Sequence, residues 1–168
     1  MTSPVIDVAC GVGYGSKIIH SAGKTVTGID IDAQAIEFAK RDYMGPAYVL
    51  GDYSQIATMG KSHAAIAFEI VEHLEDPETL LKAMWTCIVR AGMAYISTPN
   101  EKLYPFDPSL FEDDEFPHQR HYTPKEFTEL INSNGFKVTS RWCQASKTNS
   151  RVVEGVDGVF LVFAAVRV

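Results

Sequence analysis

The sequence predicts an α/β protein built on one doubly wound sheet of seven strands, mostly parallel, with the last strand antiparallel. Two observations support this fold class. Short apolar runs alternate with helical patterns through the first five strands, which is typical of a parallel sheet covered by helices on both faces. The last two apolar runs have no helix between them, so we expect an antiparallel pair at one edge.

Each predicted strand is a short apolar run bounded by turn residues. We place the strands at residues 5–9, 25–30, 47–50, 64–70, 93–98, 136–143 and 158–168. Doubly wound domains of this kind often carry one or two helices before the first strand. Because the first predicted strand begins at residue 5, we expect those N-terminal helices to be lacking.

Capping residues indicate the boundaries of the helices, which we place at residues 14–23, 33–44, 76–92 and 123–135. Asp76 is a natural N-cap with Pro77 in the first helical position, and Gly92 is expected to end that third helix. Thr123 and Glu126 have the spacing of a capping box. The buried stripe of the third helix is expected to contain Leu80, Leu81, Met84, Trp85 and Ile88.

The composition indicates one folded domain over residues 1–168, with 46% hydrophobic and 21% charged residues. No apolar run reaches the length of a membrane span and no signal peptide is recognisable, so we expect a cytoplasmic protein with no membrane partner. The net charge of −6 and the lack of a basic stripe argue against a nucleic-acid partner. Cys10, Cys87 and Cys143 are widely spaced and are expected to be reduced thiols.

The turn after the first strand is rich in glycine and indicates a ligand site. Gly11, Gly13 and Gly15 stand at alternate positions and are followed by Ser16. A dinucleotide fingerprint needs its third glycine at position 16, and a P-loop needs a different spacing with a lysine, so this turn fits neither. In an open α/β sheet, ligands bind beyond the carboxyl ends of the strands.

Three acidic residues follow the glycine turn in a recognisable order. Asp7 lies on the first strand, Asp30 ends the second and Asp52 follows the third. With "CGVGYG" between the first two, this order resembles the class I S-adenosylmethionine (SAM)-dependent methyltransferases, which have a Rossmann-like fold, and the resemblance covers nearly the whole chain.

The resemblance implies SAM as cofactor. It implies that Gly11 and Gly13 admit the cofactor's amino-acid and ribose portions, that Asp30 accepts from the ribose hydroxyls, and that Asp52 accepts from adenine N6. Asp7 is expected to orient backbone or the methionine amine. The cofactor-binding residues are expected to be Asp7, Gly11, Gly13, Tyr14, Asp30, Ile31, Asp52, Tyr53 and Glu69.

Glu69, Glu72 and His73 lie at and after the end of the fourth predicted strand, at a spacing that shares one face of a helical turn. Three interpretations stay open. The residues line the cofactor pocket, or His73 or Glu69 is the catalytic general base, or Glu69, Glu72 and His73 hold a divalent metal with a fourth ligand downstream.

The segment "EIVEHLEDPETLL" followed by "STPN" resembles the ubiquinone-pathway O-methyltransferases and their relatives that act on small molecules and sugars. It also resembles the small-RNA 3′-terminal 2′-O-methyltransferases, in which two glutamates and two histidines bind a metal. That second resemblance implies the metal ligands Glu69, Glu72, His73 and His118, with His121 as a substitute for His118.

Residues 100–122 form a long aromatic and acidic segment between the fifth strand and the fourth helix. Segments of this length without regular structure are often functional, so we expect a substrate lid. Its candidate substrate residues are His118, Arg120, His121 and Tyr122, with Arg120 either holding an acidic substrate or pairing with the acids at 112–115.

The sequence therefore predicts a SAM-dependent methyltransferase that transfers a methyl group to an oxygen or nitrogen of a small molecule. Two alternatives remain: a metal-dependent RNA 3′-terminal 2′-O-methyltransferase, and a degenerate fold that binds the cofactor without transfer. The expected partners are the small-molecule substrate and either a second copy of the chain, as a homodimer, or a partner chain that completes the lid.

Overall fold

The computed structural model describes residues 4–168, with Ser150 described by its backbone alone. Eight strands form one sheet: β1 (Pro4–Val8), β2 (Thr25–Asp30), β3 (Ala47–Leu50), β4 (Ser62–Ala67), β5 (Ile88–Pro99), β6 (Phe136–Ser146), β7 (Asn149–Glu154) and β8 (Phe160–Arg167). Four α-helices accompany it: α1 (Tyr14–Ser21), α2 (Ala33–Asp42), α3 (Pro77–Cys87) and α4 (Pro124–Ser133). None of the helices within the described residues is long and apolar enough to cross a lipid bilayer.

The strand order is β3-β2-β1-β4-β5-β8-β6-β7. The first five strands are parallel, whereas β8 is antiparallel to both β5 and β6. The predicted α/β class, the mostly parallel sheet and the antiparallel last strand are therefore confirmed. The predicted count of seven strands is wrong, because β7 folds back on β6 as an additional edge strand. Residues 149–154 carry only two apolar side chains, so no apolar run marked this strand.

The sheet has a topological switch point between β1 and β4. From β1 the chain proceeds outward through β2 and β3, and then returns to continue on the other side of β1 through β4 and β5. With right-handed crossovers, this reversal directs the connecting helices to opposite faces and leaves a crevice at the strands' carboxyl ends. Val8 and Ala67 are register partners at the ends of β1 and β4, so the residues that follow them are neighbours.

Helix α3 ends at Cys87, five residues before the predicted stop at Gly92. The β-branched residues Ile88 and Val89 begin β5 instead, and the register with β4 shifts between Ser62 and Ala64. Most of the predicted stripe is buried as expected: Leu80, Leu81, Met84 and Ile88.

Trp85 is the exception to the buried stripe of α3, because its side chain is 37% exposed. The ring lies under the guanidinium of Arg167, whose Cζ is 3.8 Å from the ring centroid. A Cβ added to Gly135 would lie 2.7 Å from this ring. Trp85 therefore covers the end of α4 and a cation on β8 rather than the central core.

The predicted capping box at the start of α4 is confirmed. Thr123 Oγ1 accepts from the backbone N–H of Glu126 at 3.2 Å, and the Glu126 carboxylate accepts from the backbone N–H of Thr123 at 2.9 Å. The box fixes the direction in which the chain enters α4 after residues 100–122.

Replacing Thr123 by alanine is expected to lower the free energy of unfolding by about 1 kcal/mol, because a first-turn N–H loses its acceptor. Thr123→Ser is the matched control, since it keeps the hydroxyl. Denaturation with urea measures both variants. Equal transition midpoints for Thr123→Ala and wild type would contradict a stabilising role for the box.

Candidate functional site

A cavity of about 310 Å³ lies at the carboxyl ends of β1 to β4. It is closed on one side by residues from the segment 100–122, which we call the lid. The lining residues are Ala9, Ile29, Asp30, Ile31, Gly51, Asp52, Tyr53, Glu69, Ile70, His73, Leu74, Glu115, Phe116, Pro117 and Gln119. The structure thus brings together six of the predicted site residues: Asp30, Ile31, Asp52, Tyr53, Glu69 and His73.

Two residues at this edge adopt left-handed backbone conformations that non-glycine residues seldom use. Ala9, directly after β1, has φ 55°, and Glu69, two residues after β4, has φ 52°. Both line the cavity. Strained backbone of this kind persists where the surrounding structure enforces it, and it concentrates at functional sites. The turn at Glu69 ends β4 at Ala67, three residues before the predicted end of that strand.

The first two glycines of the turn, Gly11 and Gly13, have different steric surroundings. Gly13 has φ 83°, and an added Cβ would lie 2.7 Å from Ala39 Cβ and from the Tyr48 hydroxyl. Gly11 has φ 51°, and nothing lies within 4 Å of an added Cβ. Gly13 is therefore required because α1 packs closely on Ala39 and Tyr48. The sequence predicts that both glycines leave space for a cofactor, and of the two only Gly11 borders open space.

Asp30 ends β2 with its carboxylate held by backbone donors. One oxygen accepts from the Gly11 N–H at 2.7 Å, and the other accepts from the Asp32 N–H at 2.9 Å. These two bonds fix the carboxylate at the cavity wall. Each carboxylate oxygen has two acceptor positions, so each keeps one for a further donor.

Asp52 and Tyr53 form the wall of the cavity that follows β3. The Asp52 carboxylate accepts from the Ser54 N–H at 2.8 Å and so caps a short 3-10 helix, Tyr53–Thr58. Burial raises the pKa of the Tyr53 hydroxyl, which keeps it neutral. Ile56, on the same 3-10 helix, is completely buried. The fully buried side chain anchors this wall in the core.

Asp7 and Tyr14, both predicted to contact the cofactor, do not line the cavity. Asp7 is buried and accepts from the Ser16 hydroxyl at 2.6 Å, which ties β1 to α1. Burial raises the pKa of its carboxyl group. Tyr14 is 61% exposed and its ring packs edge-on against Tyr43, with centroids 6.0 Å apart. Their cofactor roles stay predictions.

Glu69 forms a reciprocal pair with Ser97 on β5. Ser97 Oγ donates to Glu69 Oε1 at 2.5 Å and accepts from the Glu69 backbone N–H at 3.0 Å. The Glu69 residue keeps accessible surface in the cavity, yet protein surrounds its carboxyl group closely enough to raise its pKa. The carboxyl group is therefore positioned by the fold before any ligand binds.

Glu72 is completely buried, and neither of its carboxyl oxygens has a hydrogen-bond partner. Burial, and after it the neighbouring charge of Glu69, raises the pKa of this carboxyl group far above its ordinary value. The hydroxyls of Thr98 and Tyr122 are likewise buried without a hydrogen-bond partner. An unpartnered carboxylate is costly to bury, so we expect this carboxyl group either to stay protonated or to hold a cation.

His73 is held by the lid. Its Nδ1 lies 2.7 Å from the backbone oxygen of Phe116. A carbonyl oxygen only accepts, so Nδ1 carries the proton and, in the neutral ring, Nε2 keeps a lone pair. His73 therefore presents a ring nitrogen that is able to bind a proton or a cation.

The structure also brings His118 to this point. The rings of His73 and His118 meet edge-to-face with centroids 4.5 Å apart, and Phe111 stacks on His118 at 4.0 Å. Burial, followed by the neighbouring His73 and His121, lowers the pKa of His118 to about 4. One donor atom each of Glu72, His73 and His118 lies within 4.8 Å of the other two. Glu69, the remaining predicted ligand, is outside this group.

The lid supplies further lining residues, of which sequence reasoning missed three: Glu115, Pro117 and Gln119. Glu115, Phe116, Pro117 and Gln119 all line the cavity. The Gln119 N–H donates to the backbone oxygen of Glu72 at 2.6 Å. Their spacing in the sequence does not predict this position, because Phe116 and Gln119 contact His73 and Glu72 through backbone groups, more than forty residues away along the chain.

Arg120 and Tyr122, two of the predicted substrate residues, lie away from the cavity. Arg120 pairs with Glu126 at 3.1 Å, and its guanidinium carbon lies 4.4 Å from the centre of the Tyr122 ring. Tyr122 is 3% exposed and packs against Phe127. The sequence leaves two partners open for Arg120, an acidic substrate or the acids at 112–115. In the structure its acidic partner is Glu126 of α4 instead. The substrate roles of both residues stay predictions.

Known proteins resemble this chain in sequence and in fold. The pattern that describes a methyltransferase domain matches residues 6–96, slightly more than half of the chain. A probable S-adenosylmethionine-dependent methyltransferase of Mycolicibacterium smegmatis is 26% identical over 135 residues, which cover 80% of this chain and 52% of that protein. A ubiquinone biosynthesis O-methyltransferase of Ralstonia nicotianae is 32% identical over 109 residues, covering 60% of this chain and 45% of that protein.

A solved SAM-dependent methyltransferase of Thermotoga maritima has the same fold, with a TM-score of 0.80 at 15% identity over 99% of this chain and 82% of that one. The chain spans about half the length of the curated relatives it matches. The matched residues 6–96 include the cavity wall from Ala9 to Leu74, whereas the lid lies beyond them. The family match therefore bears on the cavity wall and not on the segment that covers it.

Proposed function

Because this chain belongs to the class I SAM-dependent methyltransferase family, we propose that it transfers a methyl group from SAM to an oxygen or nitrogen atom of a small-molecule acceptor. The observation that carries this proposal is the lidded cavity at the switch point, bounded by Asp30, Asp52 and Glu69. Its volume of about 310 Å³ lies at the lower end of the range of small-molecule sites, roughly 300–1,000 Å³.

The residues around the cavity fit the cofactor's polar groups. The two free acceptor positions of Asp30 suit the two ribose hydroxyls, and Asp52 suits the adenine amine. Ile31 and Tyr53 supply apolar surface for the adenine ring. Gly11 does not itself line the cavity, but nothing lies within 4 Å of a Cβ added to it, which leaves room for the amino-acid portion. When bound, SAM supplies a methyl group on a positively charged sulfur. Glu69, which follows β4, also lines the cavity, and its carboxyl group is proposed to contact the cofactor from the side opposite Asp30 and Asp52.

His73 is the general base in this proposal. Methyl transfer is an in-line displacement, so the chain contributes chiefly by positioning the acceptor and by removing one proton. The Phe116 carbonyl holds the His73 ring and leaves the Nε2 lone pair to take that proton. Glu69, anchored by Ser97, is the second candidate for the same role.

The lid, residues 100–122, selects the acceptor in this proposal. It encloses the cavity through Phe116, Pro117 and Gln119. It is tied to the loop after β4 by the contact of the His73 ring with the Phe116 carbonyl and by the backbone hydrogen bond from Gln119 to Glu72. Residues 1–168 are thus proposed to form a single domain that has one cofactor site covered by one lid. The homodimer, or the partner chain that completes the lid, remains part of the proposal.

Transfer of a radiolabelled methyl group from SAM to a panel of phenols, amines, sugars and short RNAs tests the proposed function. We expect label in at least one small molecule and none in RNA, since the net charge of −6 disfavours a polyanionic acceptor. Tight SAM binding without any transfer would instead support the degenerate cofactor-binding fold. The absence of both SAM binding and transfer would contradict the proposal.

A second candidate function is metal-dependent methyl transfer, and the unpartnered carboxyl group of Glu72 favours it. Glu72, His73 and His118 would hold a divalent ion. Glu69 is close enough for its charge to raise the pKa of the Glu72 carboxyl group. A carboxylate combined with two imidazoles suits Mn²⁺, Fe²⁺ or Zn²⁺ better than Mg²⁺. A bound ion would orient an acceptor hydroxyl and lower its pKa. In this candidate the acceptor is a vicinal diol such as the 3′-terminal ribose of an RNA.

Replacing Glu72 by glutamine tests the metal site through stability. A carboxyl group whose pKa is raised in the folded chain stabilises the fold at low pH, and the contribution is lost as pH rises above its ordinary value of 4.5. We therefore expect metal-free Glu72→Gln to melt above metal-free wild type at neutral pH, by about 2–4 °C for each kcal/mol relieved.

Thermal melting with and without Mn²⁺ completes this test. Mn²⁺ is expected to raise the melting temperature of the wild type and to leave that of Glu72→Gln unchanged, because the variant lacks the anionic ligand. Glu75→Gln, at an exposed position, is the control and is expected to behave as the wild type does. A wild type whose melting temperature does not respond to Mn²⁺, Fe²⁺ or Zn²⁺ would eliminate the metal-dependent candidate.

A further inference from the structure

His121 joins two parts of the lid, Tyr104 and His118, through a chain of hydrogen bonds. Its Nδ1 lies 2.7 Å from the backbone oxygen of Tyr104, and its Nε2 lies 2.8 Å from Nδ1 of His118. The side chain is 3% exposed. The rings of Tyr104 and Phe106 lie 4.9 and 5.4 Å from its own. This enclosure favours the neutral imidazole.

The direction of every hydrogen bond in this chain follows from one fixed group. The Tyr104 carbonyl only accepts, so the proton of neutral His121 is on Nδ1 and its Nε2 is an acceptor. His118 must then donate from Nδ1. The proton of neutral His118 is therefore on Nδ1, and Nε2 keeps the lone pair.

We propose that His121 is a positioning residue, which fixes His118 in its Nδ1–H tautomer so that the Nε2 lone pair of His118 is available beside Glu72 and His73. The inference deepens the proposed function and rests on its second candidate, in which His118 is a ligand. A free imidazole favours the Nε2–H tautomer, in which that nitrogen carries a proton and has no lone pair for a cation. His121 is thus neither a substrate contact nor a substitute ligand, the two roles that the sequence suggests for it.

His73 and His118 are prepared for the site in parallel ways. In each ring Nδ1 is occupied by a contact within the lid, the Phe116 carbonyl for His73 and His121 for His118. Partners of this kind commonly orient imidazole ligands and set their tautomers. Phe111 holds the His118 ring by stacking, but a stacked ring has no influence on which nitrogen carries the proton.

Two variants separate the tautomer effect from a loss of packing. His121→Gln places an amide oxygen near the position of Nε2, where it is able to accept from His118. His121→Asn places an amide N–H near the position of Nδ1, where it satisfies the Tyr104 carbonyl but does not reach His118. His63→Gln, at an exposed position on β4, is the control.

Nitrogen-15 NMR of the histidine side chains in the metal-free full chain measures the tautomers directly. We expect wild-type His118 to be protonated on Nδ1 and not on Nε2, and His121→Gln and His63→Gln to keep this pattern. His121→Asn is expected to shift His118 toward the Nε2–H tautomer. An Nε2–H tautomer of His118 in the wild type, which requires no variant to fold, would overturn the proposal, and so would an unchanged His118 in His121→Asn.

Titration with Mn²⁺ gives the second readout. His121→Asn is expected to weaken Mn²⁺ binding roughly ten- to hundredfold, as the loss of a group that orients a ligand commonly does, and His121→Gln is expected to restore most of it. Equal Mn²⁺ affinities for His121→Asn and wild type would overturn the positioning role. If the wild type binds no Mn²⁺ and His118 still has the Nδ1–H tautomer, the metal candidate fails and the positioning role is supported.

Discussion

Replacing Asp30 by alanine is expected to abolish measurable SAM binding. The carboxylate is proposed to accept from both ribose hydroxyls, and it also fixes the glycine turn through the Gly11 N–H at 2.7 Å. Hydrogen bonds to charged groups contribute about 1.5–3 kcal/mol each, so the loss of two corresponds to at least a hundredfold in affinity. Isothermal titration calorimetry with SAM measures the effect.

Two further variants make the Asp30 experiment specific. Asp30→Asn keeps the shape and one acceptor oxygen, and we expect it to bind SAM with an affinity between those of wild type and Asp30→Ala. Asp42→Ala removes a surface carboxylate at the end of α2, where it pairs with Arg41, and is expected to leave the affinity unchanged. If Asp30→Ala binds SAM as tightly as Asp42→Ala does, Asp30 is not the ribose acceptor.

Replacing His73 by asparagine is expected to lower kcat by about 10²–10⁴ while the affinity for SAM stays close to that of the wild type. The asparagine amide reaches the position of Nδ1, so the contact with the Phe116 carbonyl and hence the lid is kept. The Nε2 lone pair, which is proposed to take the proton of the acceptor, is lost. Initial rates of methyl transfer at saturating SAM provide the measurement.

His63→Asn, at an exposed position on β4, is the control for this second prediction. A kcat for His73→Asn equal to that of the control would exclude His73 as the base. Glu69→Gln would then be the next variant to measure, because its carboxyl group is the second candidate for the general base. An unchanged kcat in both variants would mean that neither residue removes the proton of the acceptor.

The sequence was informative wherever one short segment determines the structure. The capping box at Thr123 and the N-cap at Asp76 rest on side chains that bond the backbone two or three residues away. The acids at the carboxyl ends of strands, Asp30 and Asp52, line the cavity because parallel strands end at one edge of the sheet.

Features that depend on distant contacts were not predictable in the same way. Strand β7 exists because β6 provides an edge to pair with, although its own sequence is mostly polar. Trp85 has the spacing of a core residue, yet Arg167, on the last strand, gives it a partner near the surface. Both outcomes were set by tertiary neighbours rather than by local periodicity.

The arrangement of histidines shows the same limit at the site. The sequence identified His73, His118 and His121 as candidates, but their spacing does not reveal which carbonyl or ring each nitrogen contacts. The partners are Phe116, forty-three residues from His73, and Tyr104, seventeen residues from His121. The proposed roles, lone-pair donors for His73 and His118 and a positioning residue for His121, rest on those contacts and on the hydrogen bond between His118 and His121.

The central claim is that the cavity at the carboxyl ends of β1 to β4 is the SAM site. A crystal structure of the wild-type chain with the product S-adenosylhomocysteine tests it most directly. We predict density for the product in this cavity, with the ribose hydroxyls on the Asp30 carboxylate and the adenine beside Asp52 and Tyr53. Density for the product elsewhere on the chain, or an empty cavity at saturating concentration, would contradict the claim.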